Sequence, residues 1–337
     1  MTPDFKIGCS YFANRMVRHV AEDMKMLARD GFNYVMHTMC EYDLTFHRGN
    51  LRDIVSVSHD AGHEVWIDPW GVGNVFGGEP FSNFAAQNLY EACQVLDDDR
   101  LVPLACPNAP LFKDYLEKWI EAAAETGADL AFWDEPHFHD PGFLGGIKGR
   151  WGCRCRFCKS KFEDRYNKSM PKDETDEVKE LKIASLRELI VFLLETSTKA
   201  GLKNALCIPP GEKGEDPYER LSQYSCMPAL DVLSTDPYWM WRDEPVEIVG
   251  DYSRALKKVC DECGLEGQIW IQACKIPAGR EEEIARAVEL AAESGIRNLA
   301  AWSFEATAHE SWITCENPEK AWRITVDALN RAFNIPK

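Results

Sequence analysis

A recurring junction of glycine and a short apolar run organises this sequence and restricts its fold more than any other feature. Six glycines each follow a helical stretch and precede an apolar run, namely Gly31, Gly62, Gly127, Gly201, Gly264 and Gly295. Because glycine readily adopts the left-handed conformation that ends a helix, each junction predicts a helix C-terminus followed by a strand. Two further apolar runs, 6–11 and 230–235, bring the predicted strands to eight.

Amphipathic stretches between these runs predict an alternating α/β fold. They include residues 18–29, 111–125, 177–200, 246–263, 281–293 and 318–333, with apolar residues at helical spacing. Eight strands that alternate with helices predict a closed parallel (β/α)8 TIM barrel, with an open doubly wound sheet as the alternative. We expect one barrel domain over residues 1–337, since such barrels accommodate insertions. No G-x-G-x-x-G follows the first strand, and no organic cofactor is expected.

Composition and charge exclude several classes of function. A formal net charge of −17 argues against a nucleic acid partner, because DNA and RNA binding requires clustered Lys and Arg. No run of 18 apolar residues occurs, and residues 1–8 lack the features of a secretion signal. We therefore expect a cytoplasmic protein without a membrane partner. The thirteen cysteines are an odd number scattered over strands and helices, which favours reduced thiols over a disulfide framework.

Polar and aromatic residues follow most of the predicted strands. Because the active site of a (β/α)8 barrel lies at the carboxyl ends of its strands, these residues are the candidates for a functional site. They are Glu41 and Asp43 after the second strand, Asp68 and Trp70 after the third, Asp134, Glu135 and His137 after the fourth, Asp236, Tyr238 and Trp239 after the sixth, Gln272 after the seventh, and Trp302 and Glu305 after the eighth. Gly77 and Gly78 are interpreted as loop glycines only.

Facing carboxylates between aromatic walls are typical of a site that hydrolyses glycosidic bonds. One carboxyl group protonates the leaving oxygen, and a second stabilises or attacks the sugar carbon. The catalytic candidates are Glu135, Asp134, Asp236 and Glu305. Candidates for contacts with a carbohydrate substrate are Asp68, Trp70, His137, Tyr238, Trp239, Gln272 and Trp302, since aromatic rings stack on sugar C–H surfaces. Helix capping is the alternative role for Asp68 and Asp236, which both precede proline.

The longest predicted irregular segment, 137–174, is an insertion after the fourth strand that carries a cysteine cluster. Cys153, Cys155 and Cys158 form a Cys-x-Cys-x-x-Cys motif, and Cys106 lies in the preceding connection. Four thiolates form a closed tetrahedral site, which predicts a structural zinc ion that holds the insertion beside Glu135. Reduced loop cysteines or a disulfide are the alternatives. Cys260-x-x-Cys263 lies in the last turn of a helix without a second pair, which indicates no metal or redox role.

These motifs resemble those of a known enzyme family. Cys106-Pro107-Asn108-Ala109-Pro110, the Glu after the fourth strand and the Cys-x-Cys-x-x-Cys motif are similar to segments of the zinc-containing β-galactosidases of glycoside hydrolase family forty-two. The resemblance covers residues 106–162. It implies a barrel glycosidase with a structural zinc ion, a retaining mechanism with Glu135 as acid/base, and association into homo-oligomers.

Two positions depart from that family. Its acid/base Glu follows Asn, where this chain has Asp134, and its nucleophilic Glu ends the seventh strand, where this chain has Gln272. An amide cannot serve as the nucleophile. The pair Asp134-Glu135 before Pro136 is similar to that of substrate-assisted N-acetylhexosaminidases, in which Asp orients the acetamido group of the substrate and Glu is the acid/base. In the other alternative, Asp236 or Glu305 supplies the second carboxylate.

Hydrolysis of an oligosaccharide or a small glycoside is therefore the leading function predicted from the sequence. A metal-dependent sugar isomerase or lyase is one alternative, with Glu41, Asp68, Asp236 and histidines as ligands at the strand ends. A non-catalytic barrel that binds a glycan is the other, and it is suggested by Gln272 in place of a carboxylate.

Overall fold

The protein forms a closed barrel of parallel strands with helices outside it. The computed structural model describes residues 5–142 and 146–335. Its strands are β1 (Lys6–Tyr11), β2 (Tyr34–Thr38), β3 (Glu64–Asp68), β4 (Cys93–Val95), β5 (Leu101–Ala105), β6 (Leu130–Asp134), β7 (Lys203–Cys207), β8 (Val232–Thr235), β9 (Glu266–Gln272) and β10 (Asn298–Trp302). All except β4 and β5 belong to the barrel, and β1 pairs with β10 to close it. The predicted (β/α)8 barrel is confirmed.

Helices connect the barrel strands. They are α1 (Val17–Arg29), α2 (Glu41–Phe46), α3 (Arg48–Asp60), α4 (Asn83–Gln87), α5 (Leu89–Ala92), α6 (Pro110–Glu125), α7 (Arg156–Tyr166), α8 (Asp176–Lys199), α9 (Pro217–Ser222), α10 (Trp239–Arg242), α11 (Ile248–Cys263), α12 (Glu282–Glu293) and α13 (Pro318–Ala332). The six junction glycines all have φ between 69° and 96°, as a left-handed helix end requires. Among the described residues, no helix is long and apolar enough to cross a membrane.

The connections on either side of β6 contain structure that the sequence did not predict. Antiparallel strands β4 and β5 form a hairpin, and Leu96 at its turn pairs with Gly152 of the insertion. The insertion 137–174 was predicted to be irregular, which is wrong for its centre, because α7 lies within it. Cys158 and Phe162 are four residues apart and both buried, so this helix packs through one face. Residues 143–145 of the insertion lie outside the described residues.

The barrel interior is filled by large side chains that alternate with outward-facing ones. The inward-facing group consists of Tyr34, Met36, Trp66, Leu130, Phe132, Ala205, Cys207, Val232, Trp270 and Ala300. Gly8 leaves room for the Tyr34 ring, because a Cβ atom there would lie 1.9 Å from that ring. Since side chains two residues apart share a face of a strand, inward positions towards the carboxyl ends include those of Asp68 after Trp66, Asp134 after Phe132 and, two residues beyond Ser234, Asp236.

A disulfide outside the barrel links the loop before β8 to the end of α11. Cys226 and Cys263 are bonded, with their Cα atoms 5.1 Å apart, within the usual range for a disulfide. The expectation of reduced thiols is therefore wrong for this pair. The partners are separated by 37 residues, and no local motif marked Cys226. The other eleven cysteines are free.

Candidate active site

Four carboxylates meet where the barrel strands end. Asp68 is the last residue of β3, Asp134 is the last residue of β6 and Glu135 follows it, and Asp236 follows β8. Their mutual electrostatic effects place them in one group, because Asp68 is influenced by Asp134 and Glu135, and Glu135 by Asp236. We call these four residues the mouth carboxylates. Asp134 and Glu135 remain partly exposed, whereas Asp68 and Asp236 are buried.

Glu135 has the electrostatic setting of a proton donor. Burial of its carboxyl group raises its pKa well above the ordinary value, and the charge of Asp236 and a side-chain hydrogen bond with Asp236 raise it further. A carboxyl group that keeps its proton near neutral pH is suited to general acid catalysis. The backbone of Glu135 is left-handed, with φ of 44°, and such strain in a residue other than glycine is concentrated at functional sites.

Asp236 is the carboxylate in direct contact with Glu135. Burial raises its pKa to about 8, the charge of Asp134 raises it too, and the hydrogen bond with Glu135 acts in the opposite direction. The shared hydrogen bond raises the pKa of Glu135 and lowers that of Asp236, so Asp236 is the first of the two carboxyl groups to lose its proton as the pH rises. Once Asp236 is ionised, the pair consists of a donor and an acceptor in hydrogen-bond contact, as paired carboxyl groups with separated pKa values do.

Asp68 is fully buried without a hydrogen-bond partner for either carboxylate oxygen. Burial raises its pKa well above the ordinary value, and Asp134 and Glu135 raise it further. The alternative of a helix cap does not fit Asp68, because its carboxylate bonds to no backbone N–H among the described residues. Ser10 and Trp270 also have buried polar atoms without partners. Unsatisfied buried polar groups are rare in native proteins, which indicates that water or a ligand supplies their partners.

Gly77 is part of the site, although the sequence suggested a loop role only. A Cβ atom at this position would lie 2.2 Å from a carboxylate oxygen of Asp134 and 3.4 Å from one of Glu135. The N–H of Gly77 donates to the backbone oxygen of Asp134 at 3.1 Å. Only glycine therefore allows this loop to close against the carboxylates.

Two further residues at the mouth were not recognised in the sequence. The positive charge of Arg220, on α9, acts to lower the pKa of Glu135, against the larger effects that raise it. The thiol of Cys207 lies 3.8 Å from a carboxylate oxygen of Asp236. Cys207 ends β7, and its inward position at a strand end was the only signal available. Arg220 lies 13 residues beyond β7, so strand ends alone could not identify it.

Aromatic side chains form one wall of the mouth. Trp302 is partly exposed, stacks on Phe12 with ring centroids 5.6 Å apart, and contacts Trp270 edge-on at 5.9 Å. Trp70 also packs against the Phe12 ring, with centroids 4.9 Å apart, but is only 7% exposed. Tyr238 packs against the inward-facing group and remains partly exposed. Trp302 and Tyr238 are thus the predicted aromatic residues that a ligand reaches most directly.

Three predicted site residues use their polar atoms elsewhere. The Gln272 carboxamide accepts from the Met240 N–H and donates to the Cys274 oxygen, both at 3.0 Å. Trp239 is fully buried, and its indole donates to Glu283 at 2.8 Å. Glu305 has Asp23 and His309 as its electrostatic neighbours, in a region separate from the mouth carboxylates. The structure thus does not bring these three polar groups into the carboxylate group.

His137 lies beside the mouth on the insertion. Its backbone N–H donates to the backbone oxygen of Val75 at 2.9 Å, and the Nδ1 atom of its ring lies 2.8 Å from the backbone oxygen of Glu135. Burial lowers its pKa below the ordinary histidine value. A neutral imidazole held in this way fixes the turn after Glu135.

The four predicted zinc ligands come together behind the mouth. The sulfur atoms of Cys106, Cys153, Cys155 and Cys158 all lie within 4.8 Å of one another and all four residues are buried. Cys106 lies 3.5 Å from both Cys155 and Cys158, sulfur to sulfur. Sulfur atoms at the corners of a zinc tetrahedron with bonds of about 2.3 Å are about 3.8 Å apart. The Asn108 amide donates to Cys158 at 3.3 Å, a contact that also supports metal-bound thiolates.

This cysteine group is the only one among the described residues in which three or more Cys, His, Asp or Glu ligand atoms are clustered tightly enough for a metal ion. The mouth carboxylates are not arranged in that way, and Glu41 and the histidines are not grouped with them. The arrangement at the mouth therefore supports proton transfer between carboxyl groups rather than metal coordination.

Comparisons with known proteins yield structural likeness only. No family model matches the chain, and no curated protein matches it. Among solved structures, it is similar to GH5_18 from Streptomyces cattleya in complex with GlcNAc, with 11% identity, a TM-score of 0.59, and coverage of 100% of this chain and 82% of that one.

Two other solved structures extend the comparison. A putative alpha-L-fucosidase from Bacteroides thetaiotaomicron VPI-5482 has 9% identity and a TM-score of 0.57, over 98% of this chain and 94% of that one. D-psicose 3-epimerase with D-tagatose from Clostridium cellulolyticum H10 has 12% identity and a TM-score of 0.51, over 98% and 99%. At these identities the likeness shows a shared TIM-barrel fold.

Proposed function

We propose that the protein is a glycoside hydrolase that cleaves the O-glycosidic bond of an oligosaccharide or a small glycoside, with Glu135 as the general acid and base. The observation that carries this proposal is the pair of Glu135 and Asp236 at the barrel mouth, in which burial and mutual contact keep a proton on Glu135. Such a proton is what the leaving oxygen of a glycoside needs. Similar barrels that include the GH5_18 enzyme and the fucosidase support the same class.

Asp236 is the second carboxylate in this proposal. It is in hydrogen-bond contact with Glu135, whereas an inverting pair is held about 6.5–9.5 Å apart to admit water. A retaining pair lies closer together, about 5–5.5 Å apart, so the close approach of these two carboxyl groups favours a retaining mechanism. In that mechanism the ionised form of Asp236 attacks the sugar carbon. Trp302 and Tyr238 provide the aromatic surface for the sugar ring, and the unpartnered oxygens of Asp68 accept hydrogen bonds from its hydroxyl groups.

A substrate-assisted N-acetylhexosaminidase is the second candidate. Asp134 directly precedes Glu135, and its carboxyl group lies against Gly77 in the same mouth. Gln272, at the end of β9, leaves that strand without a carboxylate. In this candidate Asp134 orients the acetamido group, which attacks the sugar carbon in place of Asp236.

Hydrolysis of a panel of aryl glycosides tests the proposal, with N-acetylated and non-acetylated sugars compared. We expect Glu135→Gln to lower kcat/KM about 10²–10⁴-fold while the folded structure persists. Glu125→Gln is the matched control, because Glu125 is an exposed residue on α6 paired with Arg48. Unchanged hydrolysis by Glu135→Gln contradicts the proposal, and turnover that a chelator abolishes without unfolding the protein favours the isomerase or lyase alternative.

We infer that the four-cysteine group holds a structural zinc ion. The residues fit it, since four buried sulfur atoms at tetrahedral spacing leave no position for water and supply all four ligands. The bound ion would join the insertion to the connection before α6 and so support the segment that follows Glu135. Elemental analysis of protein purified without added metal should yield one zinc per chain. Cys153→Ser should lose the metal, whereas Cys315→Ser, at a buried cysteine outside the group, should retain it.

A further inference from the structure

Three residues on neighbouring loops form a cationic and aromatic group on the rim of the barrel mouth. Trp241 lies in α10 after β8, Lys275 follows β9, and Trp312 lies in the loop after β10. Because β8, β9 and β10 are adjacent in the barrel, their loops meet at the same side of the carboxyl-end face. We call Trp241, Lys275 and Trp312 the rim clamp.

The lysine lies between two exposed indole rings. Its ammonium group is 3.6 Å from the ring centroid of Trp312 and 4.9 Å from that of Trp241. The two tryptophans are 61% and 52% exposed, respectively. Large exposed aromatic surfaces are typical of binding sites rather than of inert surface, because leaving them in water sacrifices the free energy of burial.

The position of Lys275 is fixed by its backbone. Its N–H donates to the Ile313 oxygen at 2.7 Å, and the Glu316 N–H donates to the Ile276 oxygen at 3.0 Å. Its φ is 50°, a left-handed conformation that is strained for lysine. The two loops are therefore joined next to Lys275, which fixes the backbone from which its side chain reaches the two rings.

The ammonium group has no carboxylate partner. Within residues 5–142 and 146–335, Lys275 forms no ion pair and no side-chain hydrogen bond, and its contacts are the two rings. Because no acidic side chain of the described residues pairs with it, the ammonium group is available for an anionic group of a ligand. The nearby Glu79 is bonded to the hydroxyl of Ser311.

The rim clamp is continuous with the proposed catalytic site. The buried Cys274, next to Lys275, lies in the electrostatic field of both Lys275 and Asp236. Tyr238 in turn lies in the field of Asp236 and Cys274. The clamp therefore lies close enough to Tyr238 and the mouth carboxylates for one ligand to contact both regions.

We propose that the rim clamp is a subsite for an acidic sugar residue, a pyranose that carries a carboxylate or a sulfate group. This rests on the proposed function, since the acidic residue belongs to the same substrate. The sugar ring packs on an indole face, and its anionic group pairs with the ammonium of Lys275. Charge-assisted hydrogen bonds of this kind are stronger than neutral ones, so the subsite selects acidic over neutral sugars.

Binding of matched monosaccharides tests the subsite without turnover. The probes are methyl glucuronide and methyl galacturonide, the corresponding neutral methyl glycosides, and their 6-sulfates, measured by tryptophan fluorescence and by ligand-observed NMR. We expect at least one acidic probe to bind about tenfold more tightly than its neutral partner. The uronides and the sulfates distinguish the two sources of negative charge.

Variants of the lysine assign the preference to the clamp. Lys275→Met should abolish the preference for acidic probes, and Lys275→Arg should restore most of it. Lys258→Met is the control. Lys258, on α11, also lies over an aromatic ring, 3.9 Å from the ring centroid of Tyr218, but it is outside the clamp. If no acidic probe binds better than its neutral partner, or if the preference survives Lys275→Met, the subsite proposal is overturned. Loss of hydrolysis in Glu135→Gln is measured separately, so either proposal can fail alone.

Discussion

Two groups of buried acidic residues follow neighbouring strands of this barrel and differ in how well their oxygens are bonded. After β2, Glu41 accepts hydrogen bonds from the Gly73 N–H at 2.8 Å, the Ser82 hydroxyl at 2.6 Å and the Phe84 N–H at 2.7 Å. Asp43 forms a two-point ion pair with Arg15, both contacts at 2.6 Å.

The mouth carboxylates show the opposite pattern. Asp68 has no partner for either oxygen, and its acidic neighbours raise its pKa. Oxygens bonded to donors hold loops together, whereas oxygens that face other carboxylates destabilise the fold and are free for a ligand or a reacting proton. The role of an acidic residue at a strand end is therefore not set by its residue type. It depends on the hydrogen-bond donors that lie within reach of its oxygens.

The largest expected effect concerns the partner of Glu135. Asp236→Asn should lower kcat/KM about 10²–10⁴-fold, because the amide can neither attack the sugar nor accept the proton shared with Glu135. Asp134→Asn should have a smaller effect on sugars without an acetamido group. Steady-state kinetics on both substrate types provide the measurement. If Asp134→Asn is the more damaging change and only N-acetylated substrates are hydrolysed, the substrate-assisted mechanism replaces the one with Asp236.

The next largest effect is on the stability that the ion pair of Asp43 and Arg15 provides. Asp43→Ala should lower the free energy of unfolding by about 3–5 kcal/mol, because it leaves the partly buried Arg15 without its ion-pair partner. Urea denaturation gives this value. Activity per folded molecule should stay near that of the parent protein, since Asp43 is not one of the mouth carboxylates. A variant that keeps its stability but loses activity would contradict the structural role.

Asp236, one of the mouth carboxylates, should make the folded protein less stable as the pH rises, which reverses the usual effect of an acidic residue. Burial raises the pKa of Asp236 from 3.8 to about 8, so between these values the unfolded chain has released a proton that the folded protein keeps. The stabilising contribution is therefore complete below about pH 4 and is lost as pH rises through about 8. Unfolding measured across this window should show less decline for Asp236→Asn. An identical decline in both proteins would show that Asp236 titrates normally.

The smallest expected effect on stability is at Asp68. Asp68→Asn should change the free energy of unfolding by less than about 1 kcal/mol at about pH 4, where the carboxyl group keeps its proton and no hydrogen bond of the folded protein is lost. At pH 8 the variant should be the more stable protein, because the unfolded parent chain gains stability by releasing the proton that buried Asp68 keeps. Thermal unfolding at both pH values gives the comparison. A large loss of stability at either pH would reveal a structural bond to Asp68.

The barrel could be predicted because its strands are marked locally. Each junction glycine and apolar run signals a strand without reference to distant residues, and eight such signals specify the closed sheet. The β4–β5 hairpin escaped prediction because its strands have three and five residues and Pro103 interrupts the second. The Cys226–Cys263 disulfide depends on a contact between a loop and a helix end 37 residues further along the chain, which no local pattern encodes.

The site could be predicted in outline for a related reason. Strand ends of a parallel barrel converge, so Asp68, Asp134, Glu135 and Asp236 were expected together, and the structure brings them together. The orientation of each side chain was not predictable, because it depends on hydrogen-bond partners from other loops. The Gln272 carboxamide is held by two backbone groups, and its role in binding a substrate stays a prediction.

Proton donation from Glu135 to the leaving group is tested by the dependence of hydrolysis on leaving-group acidity. For Glu135→Gln, kcat/KM should fall steeply for glycosides of poor leaving groups, which need protonation, and little for dinitrophenyl glycosides, which do not. The parent protein should show a shallow dependence. An equal loss for good and poor leaving groups, with the variant folded, would contradict a proton-donating role for Glu135.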